Sequence, residues 1–163
     1  MKGQWTNIYS GDLALRSWWV DSVNDCKYVS ILLPEVFGIN NWIRSFSEKL
    51  AQQNVPVLAL PLYGRTAPNL DLEYSEEDLK LGRHHKNLTT LKNIIDDVSA
   101  AINWVKEKYP SKKISIIGFC FGGHAAFIAS SLKGIESSFC FYGAGIVSLR
   151  NDTNSAPIDL LEK

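Results

Sequence analysis

Short apolar runs alternate along the chain with segments in which apolar residues recur every three or four positions, the pattern that the strands and helices of βαβ units leave in a sequence. Tyr28 to Leu33 is the first clear strand. Trp42, Ile43, Phe46 and Leu50 fall on one face of a helix that Asn40 or Asn41 can cap and that ends near Asn54. Val55 to Leu60 reads as the next strand, and the proline and glycine content makes Pro61 to Asp71 a loop. Ser75 and Asp78 have the spacing of a capping box opening a short helix, after which His84 and His85 join Arg83 and Lys86 in a solvated basic cluster. The strongest helical period follows Thr89 or Thr90: Leu91, Ile94, Ile95, Val98, Ile102 and Val105, with Pro110 as the stop. Lys113 to Phe119 is a strand, Phe121 to Leu132 a helix and Ser138 to Tyr142 a further strand, while Ile8 to Val20 suits an antiparallel hairpin.

These elements predict one α/β domain over residues 1–163, with a mainly parallel sheet and helices on both faces. Beyond Gly145 the pattern fades: Asn151 to Pro157 is turn-rich, and 158–163 begins a short amphipathic piece with no strand behind it. A sheet left open there has an unpaired edge, so the expectation is a C-terminally incomplete domain.

Composition narrows the partners. Lys plus Arg (17) equals Asp plus Glu (17), which removes the electrostatic footprint of a protein that binds nucleic acid or anionic lipid. No apolar run nears the roughly 20 residues of a membrane helix, and Met1 to Asp12 lacks the apolar core of an export signal. Three cysteines, Cys26, Cys120 and Cys140, without a C-x-x-C pair, suggest neither a disulfide framework nor a zinc site. A cytoplasmic protein without metal or organic cofactor is expected. Its oligomeric state is not legible.

Candidate chemistry centres on Gly118-Phe119-Cys120-Phe121-Gly122-Gly123, between a predicted strand and a predicted helix. A sharp strand-to-helix reversal crowds the residues flanking a nucleophile, so small neighbours are needed, and the turn thrusts the side chain above the sheet edge. Cys120 would stand at a helix N-terminus, where the dipole favours a thiolate, and the Phe121 N–H would be an oxyanion donor. The same short motif also describes an ordinary glycine-rich turn with a small buried Cys. Glu35 follows the first predicted strand, and parallel strands deliver their carboxyl ends to one edge, so Glu35 and Cys120 should share a crevice. A carboxylate there would hold the resting thiol protonated or accept its proton.

Four segments together, L-P-E-V-F-G-I-N at Leu33 to Asn40, L-Y-G-R-T-A-P at Leu62 to Pro68, G-F-C-F-G-G and F-Y-G-A-G at Phe141 to Gly145, resemble the dienelactone hydrolase family in order and spacing. The resemblance implies an α/β-hydrolase fold and a carboxylic-ester or lactone hydrolase acting on a small molecule through a covalent acyl-enzyme. By that resemblance Cys120 is the nucleophile, Glu35 hydrogen-bonds its resting thiol, and the N–H groups of Val36 and Phe121 form the oxyanion hole. Phe37 and Tyr142 match positions lining the family's substrate pocket, and Arg65 and Arg83 are candidates for pairing with a substrate carboxylate. The family's triad Asp and His follow two later strands, and neither position falls within the 163 residues. His124, on the elbow helix, suits a packed or capping role, and adjacent His84 and His85 point apart on a helix and make a poor metal pair. Two rival readings stay open at this point: a nucleotide-binding α/β domain, because Gly143-Ala144-Gly145-Ile146-Val147-Ser148 approximates G-x-G-x-x-G, and a non-catalytic binding protein of the same fold.

Overall fold

The computed structural model describes residues 2–160. A two-residue turn at Gly11 and Asp12 joins β1 (Gln4–Ser10) to β2 (Leu13–Val20) as an antiparallel hairpin, longer at its start than the sequence suggests. Glycine suits that turn because φ is +61° at Gly11. The chain then runs through β3 (Tyr28–Leu33), α1 (Asn41–Gln52), β4 (Val57–Ala59), α2 (Glu76–Leu88), α3 (Leu91–Lys108), β5 (Lys113–Phe119), α4 (Phe121–Ala129) and β6 (Ile135–Phe141), ending in a 3₁₀ turn at Pro157–Leu160.

The sheet order is β1-β2-β4-β3-β5-β6. The four strands β4, β3, β5 and β6 run parallel, and the N-terminal hairpin adds an antiparallel edge through β2. Alternation along β3 sorts the core by face. Val29, Ile31 and Leu33 join residues of α3 and α4, whereas Leu32 packs with Val57, Ala59 and Ile43 of α1. Helices therefore cover both faces. Between β3 and β5, Ser30 pairs with Ser115, and their buried hydroxyls meet at 2.7 Å.

Caps mark the helix starts. Asn40 accepts the Ile43 N–H at 3.1 Å, and Thr90 and Asn93 form a reciprocal capping box on α3. Ser75 accepts the Asp78 N–H, but only this half of the expected box forms. Helix α2 is 13 residues long and contains His84 and His85, so the expected short helix followed by a histidine cluster is corrected. Its polar composition hides it, since Gly82 is its only buried residue. Helix α4 stops at Ala129, before the predicted Leu132, because Ser130 and Ser131 turn their hydroxyls back onto the carbonyls of Phe127 and Ile128. Strand β4 is shorter than predicted, and β6 begins earlier, at Ile135. Turns, not a helix, follow Gly145, so the glycine pattern at 143–148 lacks the helix N-terminus that a dinucleotide phosphate needs. Of the piece at 158–163, residues 161–163 lie outside the described residues.

Among the described residues no helix is long and apolar enough to cross a membrane.

Candidate active site

Register brings the chemistry together. Leu33 at the end of β3 pairs with Gly118 on β5, and Phe119 pairs with Phe141 on β6. Glu35, Cys120 and Tyr142 each follow within two residues, so all three emerge at the carboxyl edge of the parallel strands.

Cys120 adopts φ +54° and ψ −113°, a left-handed conformation that L side chains rarely hold, between the end of β5 and the start of α4. Three backbone hydrogen bonds hold it there. Its N–H donates to Phe141 O, and its own carbonyl accepts the N–H groups of His124 and Ala144, all between 3.0 and 3.1 Å. Glycine is required around it for close approach: a Cβ on Gly118 would lie 2.0 Å from Gly122 O, and one on Gly122 would lie 2.1 Å from Leu33 O and 2.5 Å from Pro34 O. The last contact draws the start of α4 against the segment carrying Glu35. The nucleophile elbow read in the sequence is therefore a strained turn pressed against the end of β3.

Val36, buried, precedes Phe37 and Gly38 in a loop that folds under α2. Here too space is exhausted, because a Cβ on Gly82 would sit 2.3 Å from Val36 O. The Val36 N–H donates to no acceptor among the described residues. The Phe121 N–H, at the first position of α4, has no intrahelical acceptor and points at the Cys120 sulfur. These are the two N–H groups named as oxyanion donors.

The thiol is half-buried, and burial raises its pKa above the ordinary value. The Phe121 N–H pulls it back down, the Glu35 charge raises it, and Lys86 and Arg83 on α2 lower it. The protonated thiol therefore prevails at rest, against the thiolate that a helix N-terminus alone would favour. Glu35 does not hydrogen-bond that thiol among the described residues, which corrects the expected pairing. Its Oε2 accepts Tyr74 O–H at 2.9 Å and its Oε1 accepts Tyr142 O–H at 3.2 Å. Tyr142 itself stands at φ +38°, a second strained residue at the same edge. Phe37 packs against Tyr74, ring centroids 4.6 Å apart.

The arginines part company. Arg83 is exposed on α2, and its charge reaches the thiol. Arg65 is directed elsewhere: its guanidinium donates to Asp97 Oδ2 at 2.5 Å, and the Asp97 side chain is 2% exposed. A buried carboxylate holds that guanidinium, so the structure does not bring Arg65 to the thiol. Tyr74 was missed by sequence reasoning, because its place just before the Ser75 cap is that of a packing staple. Lys86 and Tyr63 were missed as well. Tyr63 stacks on Phe121 at 6.1 Å, and its buried hydroxyl has no partner among the described residues.

Histidine reaches the thiol from none of its three positions. His124 is buried, its Nδ1 is 2.9 Å from Ala144 O and its Nε2 is 2.6 Å from Arg150 Nη1, so the neutral ring donates from Nδ1 and accepts at Nε2. Burial holds its pKa down at about 4, with the charges of Arg150 and Lys86 adding to the shift. His85 pairs with Thr66 at 3.1 Å, and His84 is exposed on α2. Beside Phe121 opens a cleft of about 370 Å³, walled by Lys86, His124, Ser148 and Arg150.

The fold and sequence recur in known proteins. A Synechocystis protein named provisionally as a carboxymethylenebutenolidase is 32% identical over 137 residues, 83% of this chain and 56% of that protein. The Pseudomonas putida carboxymethylenebutenolidase is 26% identical over 125 residues, 72% of this chain and 51% of its own length. The chain thus spans about half the length of the curated relatives it matches. A solved structure from Klebsiella pneumoniae, provisionally named a dienelactone hydrolase, superposes with TM-score 0.78 at 20% identity, covering 97% of this chain and 66% of that one, and it shares the α/β-hydrolase fold. The model of the dienelactone hydrolase family matches residues 18–161, and the chain belongs to that family.

Proposed function

We propose that the protein is a carboxylic-ester or lactone hydrolase in which Cys120 is the nucleophile and a thioester forms on it. The observation that carries this reading is the strained elbow itself: a half-buried thiol beside a carboxylate and two backbone N–H groups without carbonyl acceptors. The sulfur attacks the substrate carbonyl while its proton passes to Glu35 and on to the departing alkoxide. Charge growing on the carbonyl oxygen is met by the N–H groups of Val36 and Phe121, fixed dipoles that need no rearrangement as it develops. Phe37 and Tyr142 flank the bound acyl group. Arg83, free of any ion pair among the described residues, is available to a substrate carboxylate. The name of the Pseudomonas putida relative makes a small unsaturated lactone the first substrate to try.

Release of the acyl group needs a base for water, and among the described residues no histidine is hydrogen-bonded to the thiol. We place that base outside residues 2–160, in the portion of the domain that the longer relatives carry. Mixed with p-nitrophenyl acetate, this chain should release a burst of p-nitrophenolate stoichiometric with protein and then stall, and added imidazole should restore turnover. Cys120→Ala should abolish the burst. Undiminished release by that variant would refute the assignment.

A further inference from the structure

We propose that Tyr74 is a positioning residue which, with Tyr142, clamps the Glu35 carboxylate beside the Cys120 sulfur and not on it in the resting protein. The proposal rests on the reading of Cys120 and Glu35 as the reacting pair. A carboxylate has two oxygens, and here each takes one phenol: Oε2 from Tyr74 at 2.9 Å and Oε1 from Tyr142 at 3.2 Å. The two tethers lie 39 and 107 residues from Glu35 in sequence. One comes from the segment ahead of α2 and the other from the end of β6, so the carboxylate is held between two independently anchored segments.

Tyr74 is itself fixed. Its ring meets Phe37 edge-on at 4.6 Å, the Leu72 N–H donates to Phe37 O at 3.0 Å, and Gly38 bridges Asp71. Phenols donate only while protonated. Burial and the Glu35 charge raise both, Tyr142 to about 12, so both remain donors at neutral pH. Hydrogen bonds from neutral phenols to a carboxylate are charge-assisted. The Glu35 charge acts on the sulfur, while each of its oxygens is held by a phenol and not by the thiol.

Removing the Tyr74 hydroxyl frees Oε2, and the thiol is the donor at hand. A thiol that hydrogen-bonds a carboxylate is harder to ionise.

The test is the pH dependence of Cys120 alkylation by iodoacetamide, a neutral reagent that reports the thiolate. Each cysteine peptide is quantified by mass, with exposed Cys140 as a reference in the same molecule. Tyr74→Phe should move the Cys120 midpoint up by about 0.5 to 1 unit, Glu35→Gln should move it down, and Tyr74→Phe added to Glu35→Gln should cause no further shift. A midpoint unmoved by Glu35→Gln would defeat the pairing of Cys120 with Glu35. A midpoint that responds to Glu35→Gln but not to Tyr74→Phe, or a Tyr74→Phe shift that persists without the Glu35 charge, would overturn the clamp alone.

Discussion

Gly122→Ala sets two effects of opposite sign against each other. Alanine in place of glycine within a helix gains up to about 1 kcal/mol of propensity, and less in the first turn, where Gly122 sits as the second residue of α4. The added Cβ would stand 2.1 Å from Leu33 O and 2.5 Å from Pro34 O, against a floor of 3.0 Å for real contacts. Both obstacles are backbone, one at the end of a central strand, so relief demands a shift of about 0.9 Å between α4 and β3. Forcing extra volume into a packed site costs about 1–3 kcal/mol, so the clash wins. In a chain of this length a net loss of about 1–2 kcal/mol lowers the unfolding temperature by about 2–8 °C. The same shift separates the N–H groups of Val36 and Phe121, and a misplacement of about 1 Å can cost on the order of 100-fold in rate. Calorimetry and the rate of the p-nitrophenyl acetate burst test both halves. A variant that melts and acylates like the parent would refute the close-packing argument.

Three further outcomes follow from named contacts. His124 is held at about 4 against about 6.5 in an unfolded chain, so the unfolded state takes up the extra proton between those values. Its contribution is complete above about pH 6.5 and is lost as pH falls toward 4, bounded by about 3 kcal/mol and nearer 2 after screening by solvent. Urea melts across this window should be flatter for His124→Gln than for the parent, and equal slopes would contradict the argument. Arg65→Met strips the buried Asp97 of its counter-charge and should cost about 3 kcal/mol in denaturant unfolding, a loss that Asp97→Asn in the same chain partly recovers. Ser30→Ala leaves the Ser115 hydroxyl buried and alone at a cost of about 1–3 kcal/mol, whereas replacing both by Ala should cost much less, a coupling that a double-mutant cycle reads directly.

Local signals carried most of the fold. The β3 run, the six-residue apolar stripe of α3 and the Gly-flanked Cys120 each declare themselves within a few neighbours, and all three elements stand where that logic places them. Helix α2 was harder, because it buries only Gly82 and so has almost no apolar stripe to betray its length. The site was legible where it depends on strand ends: β3, β5 and β6 bring Glu35, Cys120 and Tyr142 to one edge as soon as the sheet is parallel. It was illegible where it depends on contacts between distant segments. Nothing near Tyr74 announces Glu35, and nothing near Arg65 announces Asp97, 32 residues on. The balance that keeps Cys120 a thiol had the same cause, since burial outweighs the helix terminus only once α2 and the Glu35 loop are in place.

The central claim is that one sulfur, Cys120, carries the acyl group, and mass spectrometry of the acid-quenched burst reads it directly. After mixing with p-nitrophenyl acetate and digestion, a single acetyl group should appear on the peptide containing Cys120, with Cys26 and Cys140 unmodified. Acetylation spread over exposed Cys140 or lysines, with the Cys120 peptide unchanged, would contradict the account.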